Sequence, residues 1–293
     1  MNNTSLSKQP LPKIVKPINK KNISYKSLKM LFVYAFALLY SFPIIYMILT
    51  AFKSEYEVSP PSLIFKPTLE TFREIFLNAS IWSALSNSVI IVSASAGLAL
   101  LLGVPAAYAL VFAKFKKATT SNSLYLWFIT TIILPPVAVI IPITSAFKAV
   151  GLLGSHSGLI LVYTGFHIPL VIWMVYSYFA ELPKELIEAA ELDGASKISV
   201  FIKIMLPLCK TGIISAGLLV TIFIWNEFFI ALNLAGNSAI TLPVYMSRFG
   251  SQMGLFYAKL AASSTLVIVP VLVLGFLSQK SLVKGLSMGA VKG

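Results

Sequence analysis

Side chains able to do chemistry are sparse in this chain and mostly stand alone. Of its 293 residues, 10 are Asp or Glu, 2 are His and 1 is Cys. Cys209 has no second thiol to pair with, which excludes an intramolecular disulfide framework and a cysteine-rich metal cluster. His156 and His167 lie eleven positions apart, which fits no zinc-site spacing, so they read as a loop residue and a helix-packing residue. The chain has no Ser/His/Asp constellation for nucleophilic catalysis and no Gly-x-x-x-x-Gly-Lys-Ser/Thr run to cradle phosphates. Two acidic features remain. Glu188, Glu191 and Asp193 stand in a charged, helix-friendly stretch at about 181–207, suited to the grip of a soluble partner. Glu227, beside Trp225 and Asn226, stands in an apolar run, where a carboxylate must face water, a polar solute or a neighbouring helix. Neither pattern is an active site, so neither catalysis nor a metal nor a bound cofactor is expected.

The elements that carry these residues read as membrane spans. The chain is 57% hydrophobic and only 11% charged, against about a quarter charged in soluble domains. Mean hydropathy is +0.86. About twenty apolar residues make one spanning helix. Six segments qualify, at about 30–51, 87–113, 123–146, 157–180, 208–235 and 262–282. No alternating strand pattern suggests a barrel, so the fold class is all-α, a polytopic bundle. Pro43, Pro135, Pro136, Pro169 and Pro270 fall inside these segments and read as kinks, with a hinge the alternative for Pro135-Pro136. The first segment follows a basic leader, residues 1–28, without a small-residue cleavage site, and so reads as a retained span. The leader itself reads as disordered, with a weak attraction to anionic lipid. Residues 29–293 form the membrane domain.

Charge sets the expected orientation. The net charge of +13 is a topology signal and no sign of nucleic-acid binding. The leader through Lys29, Lys114 to Lys117, Lys184 to Lys210 and Lys280 to Lys292 put seventeen lysines on one side. The other side holds six basic residues: Lys53, Lys66, Arg73, Lys148, Arg248 and Lys259. The positive-inside rule then puts both termini and the 181–207 stretch in the cytoplasm of a multi-pass cell-membrane protein.

Within that stretch, Pro183 suits a first helical turn, and Glu185 and Glu188 suit the positive end of the helix dipole. Small Ala189 and Ala190 permit close approach by another surface. Gly194 is a natural stop and Ser196 a natural cap for a second helix. That second helix carries an apolar stripe of Ile198, Phe201, Ile202 and Met205 before Leu206-Pro207. Periodicity alone would equally fit an interfacial anchor.

The fixed spacing resolves this. Glu188-Ala189-Ala190, Gly194 six positions after the glutamate, and Ile204-x-Leu206-Pro207 ten positions after the glycine resemble the EAA loop of ABC-importer permeases. Asn87-Ser88, Ala106-Ala107-Tyr108-Ala109-Leu110, Trp225-Asn226-Glu227-Phe228-Phe229, Thr241-Leu242-Pro243-Val244 and the Gly289-Ala290-Val291-Lys292-Gly293 tail extend the likeness over nearly everything after residue 25. Together they resemble the six-span permease of carbohydrate ABC importers of the maltose type, with the type I importer fold. The resemblance implies a second, non-identical permease, two ATPase subunits that bind ATP and Mg, an extracytoplasmic solute-binding protein and a sugar substrate. It gives Glu188, Ala189, Ala190, Asp193, Gly194 and Pro207 the role of ATPase coupling. Leu242, Pro243 and Tyr245 would meet the binding protein, and Val291 and Lys292 would reach the ATPases. Trp225, Asn226 and Glu227 would line the substrate path or its outer gate, or else make an interhelical hydrogen bond to the second permease. Glycerol phosphate or another polar solute is an alternative cargo. An ion-coupled transporter would need more intramembrane charges than Glu227 alone and would leave the loop without a purpose.

Overall fold

The computed structural model describes the backbone of residues 20–113, 118–250 and 256–288, and the side chains of 27–113, 119–250 and 256–276. The chain divides into two units, Met1–Tyr46 and Met47–Gly293. The first is carried by α1 (Lys20–Thr50), whose Ser27–Thr50 portion is long and apolar enough to cross a membrane. Its apolar side chains are open all round, as lipid requires of a span, and Pro43 does not interrupt it. The helix begins inside the leader, so residues 20–28 are helical backbone rather than irregular chain. The rest of the leader lies outside the described residues.

The second unit holds α2 (Glu70–Leu77), α3 (Ala79–Phe112), α4 (Ala118–Ile132), α5 (Pro136–Ala149) and α6 (His156–Ala180). It continues with α7 (Glu185–Leu192), α8 (Lys197–Val200), α9 (Leu206–Leu208), α10 (Lys210–Trp225), α11 (Phe229–Leu234), α12 (Leu242–Ser247) and α13 (Tyr257–Met288). The central pair is α3 with α6, and α10 packs against both. Helices without a hydrophobic drive between them need small residues to approach closely. Gly103 does this on α3: an added Cβ would lie 2.7 Å from a Val171 methyl on α6. Gly212 on α10 does it again, with the Tyr178 ring at 2.4 Å.

Among the described residues, four helices are long and apolar enough to cross a membrane, and the number rises to six if each of two bent pairs is one span. Three sequence expectations need correction. The second span begins at Ala79 rather than near 87, because Asn78 caps it, accepting the Ser80 N–H at 2.9 Å. Its first turns, rich in Ser and Asn, diluted the hydropathy that marked the rest. The third span is no kinked helix but two helices at 92°, α4 and α5. Pro135 is held extended (φ −70°, ψ 130°) by the proline after it, and Pro136 starts the next helix, where its missing N–H costs nothing. The fifth span is not continuous over 208–235. Its helix α10 ends at Trp225 and the chain restarts at Phe229.

On the side of the long loops, polar side chains join the elements. Asn87 donates to the Ser238 and Ile240 carbonyls (3.2 and 3.0 Å), and its Oδ1 lies 2.8 Å from His156 Nε2. The Ser88 hydroxyl accepts the Leu242 N–H at 2.8 Å. Glu55 caps the last long helix, accepting from Ala258 and Lys259 at 3.0 and 2.9 Å. These bonds let irregular backbone lie against the bundle without unmet donors. Gly154 and Gly236 permit a backbone contact here: a Cβ on Gly236 would stand 2.8 Å from Gly154 Cα.

Candidate functional site

The 185–208 segment is a helix, a sharp turn and a second helix, as its capping residues require. At the end of α7 the Gly194 N–H bonds the Glu191 carbonyl (3.1 Å) and the Ala195 N–H bonds the Ala190 carbonyl (2.9 Å). This paired closure needs a left-handed residue, and Gly194 supplies it at φ +82°. Ser196 then caps α8, accepting the Ser199 N–H at 3.3 Å. Both cap expectations match this geometry. Pro183 stands two residues before the helix rather than inside its first turn.

The second helix departs from the expected stripe. Between α8 and α9 the residues Phe201–Met205 form a π-helical turn. Pro207 has no N–H for the Lys203 carbonyl, and the ladder widens so that Leu206 bonds back to Phe201. The extra residue rotates the faces. Val200 and Met205 are buried and Phe201 half-buried, while Ile198 (72% exposed) and Ile202 point outward. The chain then turns by 75° into α10, with buried Cys209 at the joint.

An aromatic cluster holds this segment. The Phe201 ring lies 4.8 Å from Tyr108 near the end of α3, and Tyr108 lies 5.6 Å from Phe179 at the end of α6. Phe112 completes it, 5.2 Å from Tyr108 and 6.3 Å from Phe179. Sequence reading noted Tyr108 within a motif and Phe201 within a stripe but did not join them to Phe179. The outer face of α7 is free of this packing. Glu188 and Ala189 are exposed, Leu192 is 89% exposed and Asp193 is open at the turn, while Ala190 is buried and Ile187 half-buried against the core.

The Trp225–Glu227 break is a second polar element. Asn226 is exposed and its side-chain amide donates to the Ile222 carbonyl at 2.8 Å, closing the end of α10. Glu227 opens α11: its carboxylate accepts the Ile230 and Ala231 N–H groups at 2.8 and 3.1 Å. It also accepts the Tyr163 hydroxyl of α6 at 2.7 Å. Two adjacent polar residues therefore cap both sides of one helix break, and the Glu227 bond runs within this chain. His167 sits one turn from Tyr163, bonding the Tyr163 carbonyl through Nδ1 at 2.7 Å. Trp225 is buried.

In the outer segment, Leu242 and Tyr245 face inward and Pro243 is half-exposed. The Tyr245 hydroxyl accepts from the Asn78 amide at 3.0 Å, and burial pushes its pKa up against a smaller opposing effect of Arg248. The fully buried Lys53 reaches the Ser62 carbonyl at 2.5 Å and lies 5.0 Å over the Phe65 ring. Val291 and Lys292 lie outside the described residues.

Comparison with known proteins agrees with this architecture. The profile of the family described as binding-protein-dependent transport system inner membrane component matches residues 99–287. The sulfoquinovosyl glycerol transport system permease protein SmoH of Agrobacterium fabrum is 32% identical over 256 residues, covering 86% of this chain and 89% of that protein. The trehalose transport system permease protein SugB of Mycobacterium tuberculosis is 35% identical over 231 residues, covering 77% and 82%. The trehalose/maltose transport system permease protein MalG of Thermococcus litoralis is 30% identical over 262 residues, covering 88% and 93%. Among solved structures, a chain of a bacterial ABC transporter involved in import of the acidic polysaccharide alginate superimposes with a TM-score of 0.76 at 20% identity, covering 91% of this chain and 99% of that one. That likeness speaks to fold, and the fold is that of type I ABC importer permeases. By the profile match and these relatives together, the chain belongs to the family of binding-protein-dependent transport system inner membrane components, the permease subunits of ABC transporters.

Proposed function

We propose that the chain is one of two non-identical permeases in an importer of sugars or oligosaccharides. Two ATPase subunits would bind ATP and Mg, and an extracytoplasmic solute-binding protein would deliver the cargo. The observation that carries this reading is the outer face of α7. Glu188, Ala189 and Leu192 are exposed together on a short helix that packs on α8, and the Phe201 turn that follows α8 is held against the ends of α3 and α6. A large apolar side chain left open beside a carboxylate on a rigid turn suits a partner surface. Closure of an ATPase dimer would push α7, and the Phe201–Tyr108–Phe179 contacts would pass the push to α3 and α6. Asp193, Gly194 and Pro207 shape the segment rather than grip the partner.

The same reading gives the remaining residues their work. Both termini and α7 lie in the cytoplasm, in keeping with the lysine bias. Val291 and Lys292 are assigned to contact with the ATPases. Asn226 is offered to the substrate path, while Glu227 and Trp225 keep the break beside it in shape. Leu242 and Tyr245 hold the outer segment, and half-exposed Pro243 meets the binding protein. The sugar class is supported by the names of the trehalose and maltose permeases above.

Purification of the tagged chain from its native membranes in mild detergent tests the reading, followed by uptake of labelled maltose and trehalose into proteoliposomes. Recovery of an ATPase, a second permease and ATP-dependent uptake is expected. A chain that transports without any ATPase would overturn the reading.

A further inference from the structure

On the face of the molecule opposite α7, a cavity of about 230 Å³ opens between α2, α12 and the start of α13. We propose that this cavity is a sugar-binding subsite, sized for a single pyranose ring, beside the outer segment that carries Tyr245. The inference deepens the function proposed above and rests on it for the ligand class.

The lining is what a pyranose needs. Three aromatic rings, Tyr245, Phe249 and Phe256, border the cavity. Tyr245 and Phe249 meet edge to face at 5.5 Å and 88°, so their ring faces turn in different directions. Aromatic faces are electron-rich and take the weakly positive C–H side of a sugar ring. Around them stand Glu74, Asn78 and Lys259. Lys259 bonds Glu74 Oε2 at 2.8 Å and lies 4.9 Å over the Phe256 ring.

These polar groups are held in place yet not used up. Lys259 carries three donors, Glu74 keeps Oε1 without a partner among the described residues, and Tyr245 accepts from Asn78 while its own O–H proton remains to be given. Donors and acceptors placed on the rim of a ring-lined cavity match a polyol, whose hydroxyls both give and accept. A hydrocarbon would leave them unmet. Volume sets the size class: room for roughly eight waters at about 30 Å³ each, below the roughly 300 Å³ at which pockets for drug-sized ligands begin. One ring of an oligosaccharide fits, with the remainder outside. The ion pair of opposite charges leaves the cavity without a strong net charge, which suits a neutral ligand.

The test uses the assembled transporter in lipid nanodiscs, without the solute-binding protein, and maltose and trehalose as probes. Saturation-transfer NMR reads contact between aromatic protons and sugar C–H protons, and uptake into proteoliposomes supplied with the solute-binding protein is measured in parallel. Transfer is expected in the parent protein. Phe256→Ala should weaken binding roughly two- to tenfold through the lost ring face. Glu74→Gln, at an exposed position where folding is insensitive, and Tyr245→Phe, which keeps the buried ring, should each weaken it severalfold. Uptake with saturation transfer unchanged in all three variants overturns the subsite and leaves the function standing. Absence of both uptake and transfer for both sugars overturns the two together. Variants that bind sugar normally but lose association with the solute-binding protein also overturn it, and give the cavity to a protein side chain instead.

Discussion

Replacement of Gly194 isolates the turn from everything around it. Its φ is +82°, in the left-handed region, and a Cβ added there has no atom within 4 Å. Alanine therefore meets no clash, and only the backbone term remains. That term is about 1–2 kcal/mol for an L-residue in this conformation. If the ATPase grips only the closed turn, the strain appears as lost affinity, about 5- to 30-fold for Gly194→Ala. Asn tolerates left-handed backbone better and should lose less, whereas β-branched Val should lose more. The assay is titration of the purified ATPase subunit onto nanodisc-held permease, with each variant's melting temperature as a folding control. Affinity for the alanine variant equal to that of the parent would refute the reasoning. An Asn variant weaker than the alanine one would do the same.

Three further outcomes follow from the geometry. Phe201→Ala removes the ring 4.8 Å from Tyr108, a contact worth about 0.5–1.5 kcal/mol, and should raise the ATP hydrolysed per sugar imported while the ATPase still docks. Gly212→Ala pushes a methyl against the Tyr178 ring at 2.4 Å and should cost about 1–3 kcal/mol of stability, seen as a lower melting temperature that Tyr178→Ala partly restores. Glu227→Ala strands two N–H groups and the Tyr163 hydroxyl, at about 1–3 kcal/mol each, so it should melt well below Tyr163→Phe in the same detergent.

Local chemistry was legible in the sequence and distant pairing was not. Gly194 and Ser196 act through the backbone of their own few residues, so the stop and the cap could be read from residue type alone. Span number could be read because apolar length is a property of each segment. Helix breaks could not, since hydropathy averages across them: residues 123–146 and 208–235 stay apolar through turns at Pro135 and Glu227. The Pro135-Pro136 pair carried the signal for the first break, and its strength was underestimated as a kink. The second break is made by Asn226 and Glu227 capping their own helices, a role hidden while the carboxylate was weighed as a solute contact or an interhelical bond to a second permease. The rotation of Ile198 and Ile202 outward follows from Pro207, several residues away, widening the ladder behind it. The join of Tyr108, Phe179 and Phe201 spans most of a hundred positions and leaves no periodic trace.

The central claim is that the face of α7 bearing Ala189 meets a nucleotide-hydrolysing partner. A photoactivatable benzoylphenylalanine placed at Ala189, irradiated in native membranes and followed by mass spectrometry of the adduct, tests it most directly. The account predicts a crosslink to an ATPase subunit, lost in the Gly194→Val background. A probe at Ala189 that labels only lipid, in membranes where the ATPase is expressed, would contradict it.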